Sequence, residues 1–339
     1  MRLIKTEDAV GHVLCHDMTQ IIKDQYKDAR FRKGHVVTEE DIPVLLSMGK
    51  EHLYVWEMTS GMVHENDAAE RLLALCGQEN MIRSGVKEGK IELKAACDGV
   101  FLVDSARLVA VNSQDEVMIA TRKGGMAVRE GDKLAGMRVI PLIIEEEKLR
   151  KAEQAAGDKP LLSLKPYVRK TACIVATGGE VKKGLIKDTF TPVVIDKLKT
   201  YGIETLEVVY SGDGVENVRD AVLTMREKKP DVILCTGGMS VDPDDNTPGG
   251  IKAAGANIIA YGAPVLPGAM FLLGYFDDGM PVMGLPGCVM YAGATAFDLV
   301  LPKIAADVPV TRADLAALGE GGLCLGCKPC HYPVCPFGK

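Results

Sequence analysis

The chain has 339 residues, 47% hydrophobic and 25% charged, with a formal net charge of −6. That length exceeds one ordinary domain and the apolar content suffices for sizeable cores, so two or three globular domains are expected. The acidic balance supplies no basic field for nucleic acid, and no apolar run approaches the roughly 20 residues that cross a bilayer, so neither nucleic acid nor a membrane is an expected partner.

Met1-Arg2 runs into Lys5, Glu7 and Asp8 without an apolar signal region, which makes the cytoplasm the expected location. Residues 1–57 mix strand-like pieces at 12–15 and 52–56 with a helix over 39–48 that starts after Thr38 and stops at Gly49. A second helix is predicted over 64–76, closed by Gly77, and the stretch 91–145 reads as short strands at 91–95, 99–103, 117–120 and 138–144. Residues 1–150 therefore form a mixed α/β and β-rich region. His12, His16, His35, His52 and His64 are scattered through it without metal-ligand spacing, and no catalytic constellation emerges. The charged, alanine-rich run that begins at Glu145 meets Pro160 and Pro166, and predicts a helical linker over 151–167.

From Thr171 onward the pattern becomes regular. Strands at 171–176, 205–210 and 231–235 alternate with helices at 189–201 and 215–228, and the cycle continues through 251–254 and 257–261. A Pro- and Gly-rich loop at 264–274, a strand at 281–284 and a helix at 289–304 close the region. The expected fold is a three-layer α/β/α domain over 168–310 with a mostly parallel sheet, followed by a tail over 311–339. Ligands bind such sheets at the C-terminal ends of the strands, so the loops 177–187, 211–214, 236–247 and 284–288 should converge.

The stretch from Asp231 to Gly250, D-V-I-L-C-T-G-G-M-S-V-D-P-D-D-N-T-P-G-G, suggests chemistry. Gly237 and Gly238 after a buried strand let backbone N–H groups face an anion, with phosphate the obvious candidate. Thr247 could cap the next helix, with Pro248 at its first position, and aim a partly positive helix end at the same place. Asp242, Asp244 and Asp245 stand between these features, where they could hold Mg²⁺ against phosphate oxygens or orient a hydroxyl. Phosphoryl or nucleotidyl chemistry follows; the plainer alternative is a strand-ending glycine pair with a solvated acidic loop.

Four motifs in order, A-T-G-G-E-V around Thr177, S-G-D-G around Asp213, T-G-G-M-S-V-D-P-D-D-N-T-P, and G-L-P-G at Gly284, resemble the molybdopterin-binding domain shared by molybdopterin adenylyltransferases and molybdopterin molybdotransferases. The segments V-L-C-H-D-M-T and F-R-K-G-H-V-V-T-E-E-D-I-P-V-L-L-S-M-G are more distantly similar to the molybdotransferase architecture, without its aspartate-glycine-tyrosine substrate loop. The resemblance implies molybdopterin, a pterin dithiolene phosphate, as ligand or substrate, with ATP and Mg²⁺ as further candidates and a homo-oligomer as the assembly. It implies that Asp245 and Asp213 handle phosphate and magnesium as catalytic residues, and that Glu180 is the acidic residue of the first glycine loop. Thr177, Gly178, Gly179, Thr236, Gly237, Gly238, Ser240, Asp242, Thr247, Gly284, Pro286 and Gly287 then cradle the ligand. Lys182, Lys183 and Lys187 could add positive charge beside the first loop.

The chain also departs from these patterns. Cys288 replaces the asparagine that follows Gly-Leu-Pro-Gly in molybdotransferases, and the segment 264–270 lacks the lysine of their Pro-Gly-Lys sequence. Asp244 replaces the arginine that precedes the signature aspartate of adenylyltransferases, which removes a phosphate partner and adds a like charge. At a helix start beside the ligand, Cys288 could have a lowered pKa and touch metal or pterin sulfur.

Of the ten cysteines, Cys15, Cys76, Cys97, Cys173, Cys235 and Cys288 are scattered, as expected for reduced thiols packed as small apolar groups. Cys324, Cys327, Cys330 and Cys335 instead form a C-x2-C-x2-C-x4-C array that could hold Zn²⁺ or an iron–sulfur cluster. The stretch 319–322 before it suggests a flexible attachment, and such a tail could pass electrons, sense redox state or dock on a molybdoenzyme or another molybdenum cofactor protein.

Overall fold

The computed structural model describes residues 2–22, 26–55, 61–182, 184–240, 242 and 245–339; Trp56, Lys183, Asp244 and the side chain of Glu180 lie outside the described residues. The chain forms two units, one of Met1–Ala96, Val103–Gly124 and Glu130–Ser163, the other of Cys97–Leu102, Gly125–Arg129 and Leu164–Lys339.

In the first unit, four antiparallel strands, Met81–Arg83, Ile91–Ala95, Lys133–Val139 and Val117–Thr121, form a sheet in that order. A hairpin of Met18–Ile22 and Tyr26–Phe31 was not expected, nor was the pairing of Arg2–Lys5 with His52–Val55. The helix Asp41–Ser47 follows a turn in which the Thr38 amide and hydroxyl both donate to Asp41. Helix Glu65–Leu75 is capped by His64, whose Nδ1 accepts from the Asn66 amide. The stretch expected to be all strands contains a helix, Ser105–Asn112, whose N-cap Asp104 accepts from the Arg107 amide. The expected linker begins inside helix Glu146–Ala156, which buries Leu149, Ala152 and Ala156 and ties Arg71 to Glu153 at 2.7 Å, so this helix is part of the unit rather than a free tether.

The second unit is organised by alternation along its strands. We label them β1 (Thr171–Thr177), β2 (Glu204–Ser211), β3 (Val232–Thr236), β4 (Asn257–Tyr261), β5 (Leu272–Tyr275) and β6 (Pro281–Leu285). The sheet order is β2-β1-β3-β6-β5-β4. Ala172, Ile174, Val232, Leu234, Met283 and Leu285 bury into one face, and Cys173, Val175, Ile233, Cys235 and Val282 into the other. A sheet apolar on both faces must be covered on both. Helices α1 (Gly179–Lys182), α2 (Thr191–Lys199), α3 (Val215–Glu227), α4 (Thr247–Ala253), α5 (Ala296–Ala305) and α6 (Arg312–Ala317) complete the unit. Val194 and Leu198 of α2 pack with Phe297, Val300 and Ile304 of α5 on the first face; Val218 and Val222 of α3 pack with Ile251 of α4 on the second. The result is the expected three layers.

Strands β2, β1, β3 and β6 are mutually parallel, and β5 runs against both β6 and β4. Strand β5 lies at the end of the stretch read as a Pro- and Gly-rich loop. Its hairpin with β6 turns at Gly279, where φ is +81° and the Phe276 amide donates to the Met280 carbonyl. The helix expected from residue 289 is broken into a 3-10 turn at Gly287–Met290 and α5, because Thr295 and Asp298 form a capping box that starts a new helix.

The tail is docked rather than flexibly attached. The Leu266 amide donates to the Gly322 carbonyl and the Cys324 amide to the Leu266 carbonyl, Tyr332 Oη donates to the Asp298 carbonyl at 3.0 Å, and Phe337 is 2% exposed within the core. Gly322 is needed for close approach, since a methyl there would stand 2.6 Å from the Pro264 carbonyl oxygen. Among the described residues, no helix is long and apolar enough to cross a membrane.

Candidate functional site at the C-terminal end of the sheet

Strand register brings the predicted loops to one end. Thr177 pairs with Ser211, Ala176 with Thr236, and Thr236 with Leu285, so β1, β2, β3 and β6 stop side by side. Direct contacts join the loops that follow. The Gly178 amide donates to the Ser211 carbonyl at 3.2 Å, and Thr189 Oγ1 lies 3.2 Å from Met290 Sδ, connecting the first loop to the second and to the fourth.

The third loop is fixed to the first by two threonines and two glycines. Gly237 and Gly238 have φ of +82° and +56°, the left-handed region that favours glycine. A methyl on Gly237 would clash with the Thr177 carbonyl oxygen, and one on Gly238 would stand 2.7 Å from Thr247 Oγ1. In the space so kept, Thr177 Oγ1 donates to the Thr236 carbonyl and Thr247 Oγ1 to the Gly237 carbonyl, both at 2.9 Å, and the two hydroxyls are 3.1 Å apart. Thr236 and Thr247 are buried. These residues hold the loop's shape. Thr247 differs here from its expected role. It is the first residue of α4, with Asn246 at the N-cap, and its amide donates to the Gly238 carbonyl at 3.1 Å, so neither its hydroxyl nor its amide faces outward.

Gly284 and Pro286 are buried, whereas Ser240, Asp242 and Gly287 are exposed. A methyl on Gly284 would lie 2.6 Å from Met239 Sδ, so this glycine seats the third loop against β6; one on Gly287 would meet nothing within 4 Å. Gly287 thus borders open space. The surface at this end also carries Leu185, Ile186 and Tyr291, at 72%, 57% and 79% exposure, which are large apolar groups able to cover a flat ring system.

The two predicted catalytic aspartates are each engaged by a backbone amide. Asp213 Oδ2 accepts from the Gly179 amide at 3.1 Å, and Asp245 Oδ2 accepts from the Ser240 amide at 3.0 Å. The Asp245 amide in turn donates to the Asp242 carbonyl at 2.9 Å. Among the described residues, no three His, Cys, Asp or Glu side chains gather as a metal site. Mg²⁺ is ordinarily held by one or two carboxylates together with phosphate oxygens, and Asp213 and Asp245 are described carboxylates that could supply them. Lys182 lies over Gly212 in the second loop, with Nζ 3.8 Å from a methyl built there. Lys187 is exposed.

Two features escaped the sequence reading. Tyr261, at the end of β4, donates to the Met239 carbonyl at 2.9 Å; burial first, and then the Asp245 charge, push its phenol up. Asp188 accepts from the Phe190 and Thr191 amides; its burial would raise it, but these bonds and that from Tyr210 hold its carboxyl below the usual range. Its place two and three residues before those amides was the available signal. Cys288 is corrected: burial pushes its thiol up rather than down. The four tail cysteines line one cavity of about 240 Å³, without forming a metal-binding group as they stand.

Residues 173–306 match a family described as a probable molybdopterin binding domain, and residues 3–57 match a domain of unknown function. A CinA-like protein of Petrotoga mobilis is 32% identical over 76 residues, which are 22% of this chain and 19% of that protein. A CinA-like protein of Mycobacterium tuberculosis is 33% identical over 76 residues, 22% of this chain and 18% of that protein. The match thus spans less than a fifth of the length of these curated relatives. Among solved structures, the protein CinA from Thermoplasma acidophilum is 18% identical with a TM-score of 0.34, covering 40% of this chain and 98% of that one. The Mog protein of molybdopterin biosynthesis from Mycobacterium ulcerans is 19% identical with a TM-score of 0.34, covering 41% and 97%. Residues 173–306 of this chain belong to the probable molybdopterin binding domain family.

Proposed function

We propose that the second unit binds molybdopterin by its phosphate at the C-terminal end of the sheet, and that the chain acts in molybdenum cofactor biosynthesis or handling. The observation that carries this reading is the arrival of four motif loops at one end, where Ser240 and Gly287 are exposed and the segments that follow β1 and β6 also expose Leu185, Ile186 and Tyr291. A rigid polar floor beside exposed apolar groups suits a ligand with a phosphate at one end and a fused ring at the other.

The reaction we assign is adenylyl transfer rather than molybdate insertion, because Cys288 and the lysine-free segment 264–270 depart from the molybdotransferase pattern. A pterin phosphate oxygen attacks the α-phosphorus of ATP and pyrophosphate leaves. Asp213 and Asp245, each anchored through one carboxylate oxygen to a loop amide, would use the carboxylate charge to position the nucleotide or a Mg²⁺ ion against its phosphates. A handling role makes molybdoenzymes or other molybdenum cofactor proteins the expected protein partners.

A second reading, a carrier that binds the pterin without turning it over, is favoured by the same two hydrogen bonds, which leave each carboxylate already committed to a loop amide. Replacing Asp245 by Asn separates the readings. An adenylyltransferase loses turnover of molybdopterin and ATP while a carrier shows none in either form, and its pterin affinity is largely retained.

A further inference from the structure

We propose that Cys324, Cys327, Cys330 and Cys335 form a four-thiolate metal centre seated on the second unit beside residues 292–294. The inference does not rest on the pterin reading.

All four thiols line a single cavity of about 240 Å³. Of the other cysteines, Cys97 and Cys288 are half-buried, while Cys15, Cys76, Cys173 and Cys235 are buried and burial raises each of these four thiols, Cys76 and Cys235 to about 12. Such thiols are packed small hydrophobes. In the tail, Cys327 and Cys330 are exposed and Cys324 and Cys335 half-buried, so packing does not explain four of them among residues 324–335. Thiolate ligation does. The C-x2-C-x2-C spacing, with Pro336 directly after the fourth cysteine, parallels runs that hold iron–sulfur clusters, and four cysteines equally complete a tetrahedral zinc site.

The frame around the cavity is fixed while its ligand-bearing turns are open. The Cys324 amide is bonded to Leu266, Tyr332 Oη to the Asp298 carbonyl, and the Gly338 amide to the Gly321 carbonyl at 2.9 Å, which fastens the tail at its start, middle and end. Gly293 leaves room for Cys330, whose Sγ would stand 2.7 Å from a methyl at that position. Between Cys324 and Cys327, Gly326 has φ of +69°, a turn that returns the chain toward the cavity. The four cysteines do not form a metal-binding group as they stand, so binding requires their thiols to draw together.

The test is metal binding by the full chain, purified without oxygen, against the double variant Cys327→Ser/Cys330→Ser. Both positions are exposed, and circular dichroism with urea denaturation verifies that the variant is folded. Each protein is offered Zn²⁺ alone, or ferrous iron with sulfide, and its metal content is measured after desalting. The proposal expects either about one zinc per chain, or iron and sulfide together with thiolate-to-iron absorption, in the wild type only. Retention of zinc identifies a mononuclear site, and retention of iron with sulfide a cluster. Equal retention by the two folded proteins, or none by the wild type with either metal, overturns it. Pterin binding is measured separately, so failure of the metal site leaves the pterin reading standing, and the reverse.

Discussion

Gly284 and Gly287 belong to one short motif, yet the same substitution should have opposite consequences at the two positions. A methyl on Gly284 falls 2.6 Å from both Sδ and Cε of Met239 and 3.2 Å from Leu272 Cβ. Met239 is 4% exposed, so its tip has little room to swing, and overpacking of this kind costs about 1–3 kcal/mol. The displaced Met239 also moves the third loop. At Gly287 the methyl meets, among the described residues beyond its chain neighbours, no atom within 4 Å, and the backbone lies outside the left-handed region. Gly287→Ala should therefore leave stability unchanged or raise it by up to about 1 kcal/mol, through reduced freedom of the unfolded chain. Gly287 is one of the proposed ligand-cradling positions and its methyl would enter the space left for the ligand, so molybdopterin affinity should fall about tenfold or more, equivalent to about 1.4 kcal/mol. Urea denaturation of the full chain and anaerobic pterin titration measure the two quantities on each variant. A Gly287→Ala protein that binds like the wild type, or a Gly284→Ala protein of unchanged stability, would refute the reasoning.

Thr247→Val removes the hydroxyl bonded to the Gly237 carbonyl and should cost about 1–3 kcal/mol, while Thr247→Ser restores most of it; urea midpoints of the two variants decide this. Asp231 accepts from the Lys170 and Thr171 amides and the Thr171 hydroxyl at 2.6, 2.9 and 3.0 Å. Burial alone would raise its carboxyl, but these bonds hold it below the ordinary value. Because the folded pKa is the lower one, its stabilisation is complete above about pH 4 and is lost as pH falls through the folded value. Asp231→Asn should lower the neutral-pH stability by about 1–2 kcal/mol and flatten the acid limb of a stability–pH curve; an unaltered acid limb would contradict the assignment. Asp213→Asn keeps an acceptor for the Gly179 amide on an exposed side chain, so stability should stay within about 0.5 kcal/mol. Any adenylyl transfer should nonetheless fall, and a turnover assay that registers no change would remove Asp213 from the site.

Much of the second unit was legible because its strands are buried on both faces. Ala172–Ala176 and Val232–Cys235 are unbroken apolar runs bounded by polar residues, the signature of central parallel strands. The convergence of the loops followed from that topology. Strand β5 was hidden because Leu272 and Leu273 follow a segment whose prolines and glycines read as loop, and only tertiary pairing with Met283 and Ala260 makes them a strand. Helix Ser105–Asn112 was hidden by Val109 and Val111, whose β-branched side chains favour strands, while the deciding signal was the Asp104 cap.

The site was legible in outline and less so in detail. Thr247 and Pro248 read correctly as a helix start, yet the direction of the Thr247 hydroxyl depends on Thr177 and Gly237, which are distant in sequence. Proximity of Cys288 to a helix start suggested a lowered thiol pKa, but desolvation by its neighbours wins. The Gly319–Gly322 stretch read as a tether because glycine content reports freedom and close packing alike; here the approach of Leu318 and Pro264 carbonyl oxygens to Gly322 decides for packing. Cys97–Leu102 and Gly125–Arg129 pair with each other, as at Phe101 and Met126, and group with the second unit through contacts such as the bond from Tyr167 Oη to the Gly99 carbonyl at 2.9 Å, a long-range association that no local pattern announces.

Those same associations make the full chain the right object for the decisive measurement, since a segment cut at 168 and 310 would lose both insertions and the tail that buries Phe337. Equilibrium binding of molybdopterin to the full chain, without oxygen, tests the central claim most directly. Saturable binding at micromolar concentration or tighter, about −8 kcal/mol or stronger, and weakened by Gly287→Ala, is the predicted result. No saturable binding to the folded wild-type protein would contradict the account.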